Sequence, residues 1–159
     1  MADGSNKALQ RAELRYHGRP GETHLLTATM NDFRNLRVWH KAHALALATY
    51  RATSTFPPAE RFGLVAQMRR AAVSVPANIA ESRGRRSHRD EAHLLQVAFG
   101  SACELEAELL LARDLGFLRD DEHASLSADT VEVKRMLGTL AQRTFARTAP
   151  VCRRPTAAG

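Results

Sequence analysis

Long apolar runs, cysteines and aromatic residues are all scarce in this sequence. No stretch approaches the roughly 18 consecutive apolar residues of a membrane span, so we expect no contact with a membrane. The two cysteines, Cys103 and Cys152, are too few for a disulfide framework, and we expect free thiols in a reducing compartment. Because the N-terminal residues also lack the apolar segment of a signal peptide, we expect a cytoplasmic protein.

Glycine and proline are also few, with 9 and 6 residues in a chain of 159. Alanine and leucine are abundant, which favours helix. Apolar residues make up 44% of the chain, enough for one domain with its own core. The fold class predicted here is all-α, and four amphipathic segments with short connections fold most simply as an antiparallel up-down four-helix bundle.

Residues 61 to 86 form the stretch around which the helical pattern is clearest. Apolar residues recur there at spacings of three and four, as on one side of a packed helix: Val65, Met68, Ala72, Val75 and Ile79. Pro76 lies inside this pattern and predicts a kink, because its ring clashes with the carbonyl of Ala72 and it has no N–H to donate. Ser74, Asn78 and Glu81 share another face. This polar stripe is either solvated or meets another helix, in the same chain or in a neighbouring subunit.

The three other predicted helices have similar stripes. The first is expected from about 33 to 54, capped by Asp32. The third is capped by Ser87 and ends at Gly116, and the fourth begins at Asp120. The predicted buried stripes are Leu36, Trp39, His43, Ala46, Leu47 and Tyr50; then Leu95, Ala98, Ala102, Leu105, Leu109 and Ala112; then Leu126, Thr130, Val133, Leu137 and Leu140.

The ends of the chain differ from its middle. Residues 1–30 lack sustained periodicity and are predicted to be a flexible N-terminal extension, with a short helix near residues 8–15. Met30 is a plausible true start. Residues 31–147 are predicted to form the bundle, and residues 148–159 a basic, disordered tail. Of the net charge of +6, residues 147–159 contribute +3, with three basic and no acidic residues.

Arginines cluster between the second and third predicted helices. The candidate nucleic-acid-binding residues are Arg83, Arg85, Arg86 and Arg89, with Arg69 and Arg70 earlier on the second helix. Arginine forks and the N-terminal end of a helix both suit phosphate oxygens. No aromatic residue is interleaved, so backbone contact without base stacking is expected. The alternative is a solvated loop whose arginines form salt bridges with Glu81, Asp90 and Glu91.

Signals for an enzyme are weak. The sequence has no phosphate-binding loop, so Asp90-Glu91-Ala92-His93 does not indicate an ATPase. Asp90 and His93 have the spacing of a di-iron ligand pair, but no second pair accompanies them in the helical core. His40 and His43 lack a third metal ligand, and we expect one of them exposed and one packed. No serine or cysteine nucleophile can be matched with a base. We therefore expect no enzymatic activity, no cofactor and no metal.

Four blocks of the sequence carry a resemblance to a known family. They are DFRNLRVWHKAH from residue 32, RRAAVSVPANIAE from 69, GSACELE from 100 and LARDLGFL from 111. In this order they resemble the four-helix-bundle proteins encoded in intervening sequences of bacterial 23S rRNA genes, over about residues 32–146. The chain is more distantly similar to the accessory protein of diversity-generating retroelements. Ser82 stands where the family usually has glycine.

The resemblance implies an up-down bundle that often forms a five-membered ring, binding to nucleic acid, and no established enzymatic activity. The residues and the resemblance together predict a non-enzymatic homo-oligomer that binds the backbone of RNA or DNA with little sequence specificity. The alternative is a protein-interaction scaffold module without nucleic-acid binding, in which the arginines serve assembly or solubility.

Overall fold

A computed structural model describes residues 32–148, which form four α-helices and contain no strand. We number the helices α1 (Arg37–Ala52), α2 (Leu64–Ser82), α3 (His88–Asp114) and α4 (Asp120–Ala146). Three short 3-10 helices, Phe33–Asn35, Thr53–Thr55 and Pro58–Phe62, lie at the start of the described chain and between α1 and α2. The predicted all-α, four-helix fold is confirmed.

Each helix packs against two others, which places one apolar core in the middle of the bundle. α2 and α4 both contact α1 and α3. Residue numbers run in opposite directions where α2 and α3 meet. The contacts that show this are Arg70 with Glu104, Ser74 with Ser101 and Arg83 with Glu91.

The predicted apolar stripes of α2 and α3 form most of the core. Met68, Val75 and Ile79 of α2 are inaccessible to solvent, and all six predicted positions of α3 are equally buried. The polar stripe of α2 meets another helix of the same chain at Ser74, while Glu81 at its other end is exposed, so each of the two interpretations holds for part of the stripe. The Ser74 Oγ lies 2.9 Å from the Ser101 Oγ of α3, and the Asn78 Nδ2 donates to the Ser74 carbonyl at 2.8 Å.

The first helix differs from its prediction. It begins at Arg37 and not near residue 33, because Asp32 caps the separate 3-10 turn by accepting the N–H of Arg34 at 2.9 Å. Of the predicted stripe only Ala46 is buried. The buried side of α1 consists of Val38, Ala42, Leu45, Ala46 and Thr49. The neighbouring Leu47 and Tyr50 are exposed, which makes the predicted stripe wrong.

Trp39 is half-buried against the core and lies among other rings. Its ring centroid is 4.9 Å from that of Phe33 and 5.1 Å from that of His43, with the His43 ring stacked. His40 and His43 are both exposed, and the His40 Nε2 lies 2.6 Å from the Arg34 carbonyl. Neither histidine is buried, and His43 packs only by stacking its ring on Trp39.

The bounds of α2 are narrower than the predicted stretch. Arg61 and Phe62 belong to the preceding 3-10 helix, and α2 begins after Gly63. Pro76 is buried inside α2, which is assigned as one helix on both sides of it. The kink at Pro76 stays a prediction.

The ends of α3 and the start of α4 agree with the sequence. The Ser87 Oγ accepts the N–H of Asp90 at 3.0 Å, and α4 begins at Asp120. Gly116 has a φ of +74°, and its N–H donates to the Arg113 carbonyl while that of Phe117 donates to Ala112. This is a Schellman motif, in which glycine accommodates the left-handed residue. In α4, Ala141 completes the buried stripe where Leu140 is only partly buried.

Several predictions concern the chain ends. The N-terminal extension, the start at Met30, Cys152 and all of the predicted tail beyond residue 148 lie outside the described residues. Within residues 32–148, no helix has the length and apolar character needed to cross a membrane.

Candidate nucleic-acid interface

The connection between α2 and α3 brings four of the six predicted arginines together. We call Arg83, Arg85, Arg86 and Arg89 the arginine corner. α2 ends at Ser82, whose side chain is fully buried and whose hydroxyl donates to the Ile79 carbonyl at 2.8 Å. The chain then turns through Gly84 and Ser87 caps the next helix. Ser82 therefore fits the turn by burying its small side chain and satisfying its hydroxyl within α2.

Arg83 faces inward and forms a nearly buried ion pair. Its guanidinium contacts the Glu91 carboxylate, and the two side chains are only 14% and 9% exposed. The other oxygen of Glu91 lies 3.3 Å from the Nδ1 of His88. Glu91 thus connects the end of α2 to the first turn of α3 through Arg83, and it contacts His88 within that first turn. The Arg83 Nε is buried without a hydrogen-bond acceptor among the described residues.

Arg85 is held in a different environment. Its guanidinium pairs with Glu81, four residues earlier, and both side chains are about half exposed. Exposed pairs of this kind contribute little, typically about 0.2–1 kcal/mol, because water and salt screen them. The predicted alternative of salt bridges to Glu81 and Glu91 therefore holds for Arg85 and Arg83, but not for the other two arginines of the corner.

Arg86 and Arg89 are exposed and form no ion pair with any residue in the range 32–148. They flank the start of α3. Ser87 satisfies the N–H of Asp90, so the N–H groups of His88 and Arg89 have no partner within the helix. The positive end of the helix dipole adds to the charge of these two side chains. This arrangement suits an anion such as a phosphate oxygen.

Arg69 and Arg70 lie elsewhere on α2. With 1.5 Å of rise per residue, they are roughly 20 Å from Arg83 along the helix. The Arg69 Nε donates to the Thr53 Oγ1 at 2.9 Å, and its guanidinium lies 4.7 Å from the Tyr50 ring centroid. Arg70 contacts Gln67 and pairs with Glu104 of α3. The structure does not bring these two arginines to the corner.

The carboxylates of α3 mostly pair within the chain. Glu104 pairs with Arg70, and Glu106 accepts from the Lys134 Nζ at 2.6 Å. Glu108 differs, because its Oε2 is buried with no hydrogen-bond partner in the described part of the chain. Burial, and to a lesser extent the nearby Glu104, raises the pKa of Glu108 to about 7, while Arg70 acts in the opposite direction. Glu104, Glu106 and Glu108 recur at every second position of the sequence, and this spacing alone gives no sign of the difference between them.

The residues considered for a metal site or for catalysis are not brought together within residues 32–148. Asp90 and His93 are both exposed on the first turns of α3. No group of three or more histidine, cysteine, aspartate or glutamate side chains meets at one point among residues 32–148.

Comparison with known proteins places this architecture among related sequences. A family model described as 23S rRNA-intervening sequence protein matches residues 34–139, which include the arginine corner. A crystal structure of a protein of unknown function from the S23 ribosomal protein family of Bacteroides thetaiotaomicron has a TM-score of 0.62 and 23% identity. The match covers 66% of this chain and 95% of that one. No curated protein matches the chain significantly. At this identity the structural likeness shows the fold alone.

Proposed function

The chain belongs to the 23S rRNA-intervening sequence protein family, and from this premise we propose that it is a non-enzymatic bundle that binds nucleic acid. The binding surface is the arginine corner, and the bound group is the phosphate backbone of RNA or DNA. Because no aromatic residue lies among the four arginines in the sequence, recognition has little sequence specificity.

The observation that carries this proposal is the state of Arg86 and Arg89. Both side chains are exposed at the start of α3 and have no acidic partner in the described range. Arg83 and Arg85 add to the local potential, although their charges are partly offset by glutamates. Arginine binds phosphate through two parallel N–H donors, so two unpaired arginines beside free backbone N–H groups favour an anionic polymer.

Self-association completes the proposal. A single corner presents few charges, and the described bundle as a whole is nearly neutral. Residues 30–146 contain 16 basic and 14 acidic residues. In a homo-oligomer the corner recurs once per subunit, and the repeated sites gain affinity through their high effective concentration. The five-membered ring comes from the family resemblance, and we propose it for this chain on that ground.

The test is binding of fluorescently labelled RNA and DNA by the full chain, measured by anisotropy over a series of salt concentrations. We expect log affinity to fall linearly with log salt, since phosphate binding releases condensed cations. Changing Arg86→Gln and Arg89→Gln together should lower the slope by as much as about 2. The matched control is Arg51→Gln with Arg143→Gln, two exposed arginines on α1 and α4 that form no ion pair with described residues. Equal losses in both variants would contradict the assignment.

A protein-interaction scaffold is the second candidate, and one observation favours it. Phe62 is 87% exposed in the 3-10 helix that precedes α2, and Leu111 and Leu115 at the end of α3 are at least half exposed. Large apolar side chains at the surface are typical of protein contacts when they are contiguous. Co-purification of a stoichiometric protein partner, with no nucleic-acid binding even at low salt, would favour this function.

A further inference from the structure

We propose that the two glutamates that pair with the arginine corner have opposite effects on nucleic-acid binding. Glu91 is a positioning residue that strengthens binding, and Glu81 is a restraint that weakens binding by pairing with Arg85. The inference rests on the proposed function of the corner and names what regulates that site.

Glu91 is placed to hold the corner in one shape. It is on the first turn of α3 and is almost fully buried, and it contacts Arg83 from the end of α2. Its second oxygen faces the Nδ1 of His88 at 3.3 Å. The Arg83 guanidinium donates to Glu91, so this contact is a charge-assisted hydrogen bond. The residues between these contacts are Gly84 to Ser87, which include Arg86. The Arg83–Glu91 ion pair therefore holds together the two ends of the connection between α2 and α3. This connection contains Arg86 and leads into Arg89.

Glu81 has no such role in the geometry. Its side chain is 53% exposed on the last turn of α2, and its partner is Arg85 at 45%. The two residues are one helical turn apart, so their pairing does not connect α2 to α3. While it is paired, the Arg85 guanidinium has fewer donors free for phosphate, and the carboxylate repels phosphate directly. Glu81 thus competes with the ligand for Arg85.

For Glu91, its negative charge and its position predict opposite effects on affinity when the residue is replaced. Each glutamate contributes one negative charge close to the arginines, so simple electrostatics predicts tighter binding when either charge is removed. If Glu91 fixes the shape of the corner, its removal lowers affinity even though the local charge becomes more positive. The sign of the change at Glu91 therefore separates a positioning role from a charge effect, and Glu81 is the matched control.

The experiment measures anisotropy of one labelled RNA hairpin, at fixed low salt, with the full-length protein and the variants Glu81→Gln and Glu91→Gln. We expect E81Q to bind about 2- to 3-fold more tightly, the scale of an exposed ion pair. We expect E91Q to bind roughly 5-fold more weakly or worse, the scale of a lost charge-assisted hydrogen bond. Tighter binding by E91Q would overturn the positioning role, and weaker binding by E81Q would overturn the restraint.

Removing Glu91 alone leaves Arg83 buried and unpaired, which could unfold the corner or the chain. The double variant Arg83→Met with Glu91→Leu guards against this, because it keeps the net charge and leaves no unpaired buried ion. Because the Arg83 side chain is only 14% exposed and paired, this variant removes no donor that phosphate readily reaches, and with far-ultraviolet circular dichroism equal to wild type we expect it also to bind several-fold more weakly. Unchanged affinity in this folded variant would overturn the inference while the proposed function stands. Absence of binding by the wild-type chain would overturn both.

Discussion

Glu108 shows how burial at a single residue changes the chemistry of an otherwise ordinary charged face. It lies one turn after Glu104 on α3, and Arg70 of α2 is near enough to pair with Glu104 but leaves the Glu108 Oε2 without a partner. Burial raises the pKa of Glu108 to about 7, and the charge of Glu104 adds to this effect. The carboxyl is therefore close to half protonated at neutral pH.

This pKa predicts a fall in stability as pH rises. The unfolded chain loses the Glu108 proton near its usual pKa of 4.5 and the folded chain near 7, so between these values the folded protein binds more protons. The destabilisation grows through that window and is complete above it. We expect Glu108→Gln to raise the free energy of unfolding at pH 8 by about 1 kcal/mol, a value discounted because the carboxyl is partly solvated.

Urea unfolding at pH 4.5 and pH 8 checks this prediction, and Glu132→Gln is its control. The pKa of Glu132 is lowered by its hydrogen bond with Lys41, whose Nζ lies 2.7 Å away. Its contribution is present at neutral pH and lost as pH falls below the usual carboxyl range. E132Q should therefore destabilise at pH 8, opposite to E108Q. A lower stability of E108Q at pH 8 would contradict the account of Glu108.

Arg69 is an arginine that stabilises the fold and lies outside the arginine corner. We expect Arg69→Lys to lower the free energy of unfolding by about 1–2 kcal/mol, because lysine has no planar guanidinium to bond Thr53 and lie over Tyr50. Nucleic-acid affinity should be unchanged, since the positive charge remains. Arg51→Lys, at an exposed position of α1, should stay within about 0.5 kcal/mol. Loss of affinity in R69K with normal stability would return Arg69 to the binding surface.

At the scale of the element, one glycine inside α3 and one just after its end should respond in opposite directions to alanine. Gly116 ends α3 with a φ of +74°, where an alanine is strained, and Gly116→Ala should cost about 1–2 kcal/mol. Gly100 lies inside α3, where a Cβ added to it would meet no atom within 4 Å beyond its chain neighbours and the adjacent helix backbone. Gly100→Ala should stabilise by about 0.5–1 kcal/mol. Thermal unfolding measures both, and a stabilising G116A would contradict the Schellman geometry.

The helices that could be predicted well are those with the longest regular repeat of apolar residues at spacings of three and four. The repeat covers five positions in α2 and six in α3, and all of them are buried even though α3 also has exposed apolar residues such as Val97 and Leu110. α1 contains the nearly continuous apolar run from Ala44 to Ala48, so several faces fit the same sequence. In the bundle, the buried face of α1 is the one that contains Thr49, whose hydroxyl donates to the Leu45 carbonyl at 2.9 Å. Which face of α1 is buried depends on the neighbouring helices, and the sequence of α1 alone does not indicate it.

The arginine corner could be predicted only in part, because the sequence indicates where the four arginines lie but not which of them are paired. Position in the sequence was enough to place Arg83, Arg85, Arg86 and Arg89 at one turn, because a turn brings residues close in space when they are close in the chain. Which arginine is paired depends on side-chain direction. Glu91 is eight residues from Arg83 and reaches it only because α3 folds back on α2. Sequence spacing therefore could not separate the two paired arginines from the two unpaired ones.

At the scale of the whole molecule, the distribution of charge decides how binding is to be interpreted. The net charge of +6 includes +3 from residues 147–159 and only +2 from residues 30–146. A protein that binds nucleic acid through its overall charge would lose affinity equally wherever two positive charges are removed. A protein that binds through a defined surface would lose more when the charges come from that surface.

Two full-length variants with the same net charge of +4 separate these possibilities. One combines Arg86→Gln with Arg89→Gln, and the other combines Arg153→Gln with Arg154→Gln near the C-terminus. We expect the corner variant to show the smaller salt slope and the weaker binding at every salt concentration, because each lost phosphate contact removes about 0.9 from the slope on B-DNA. The opposite order would assign the phosphate contacts to the C-terminal residues. The bundle would then present those residues to nucleic acid, and its own exposed apolar side chains would remain for a protein partner.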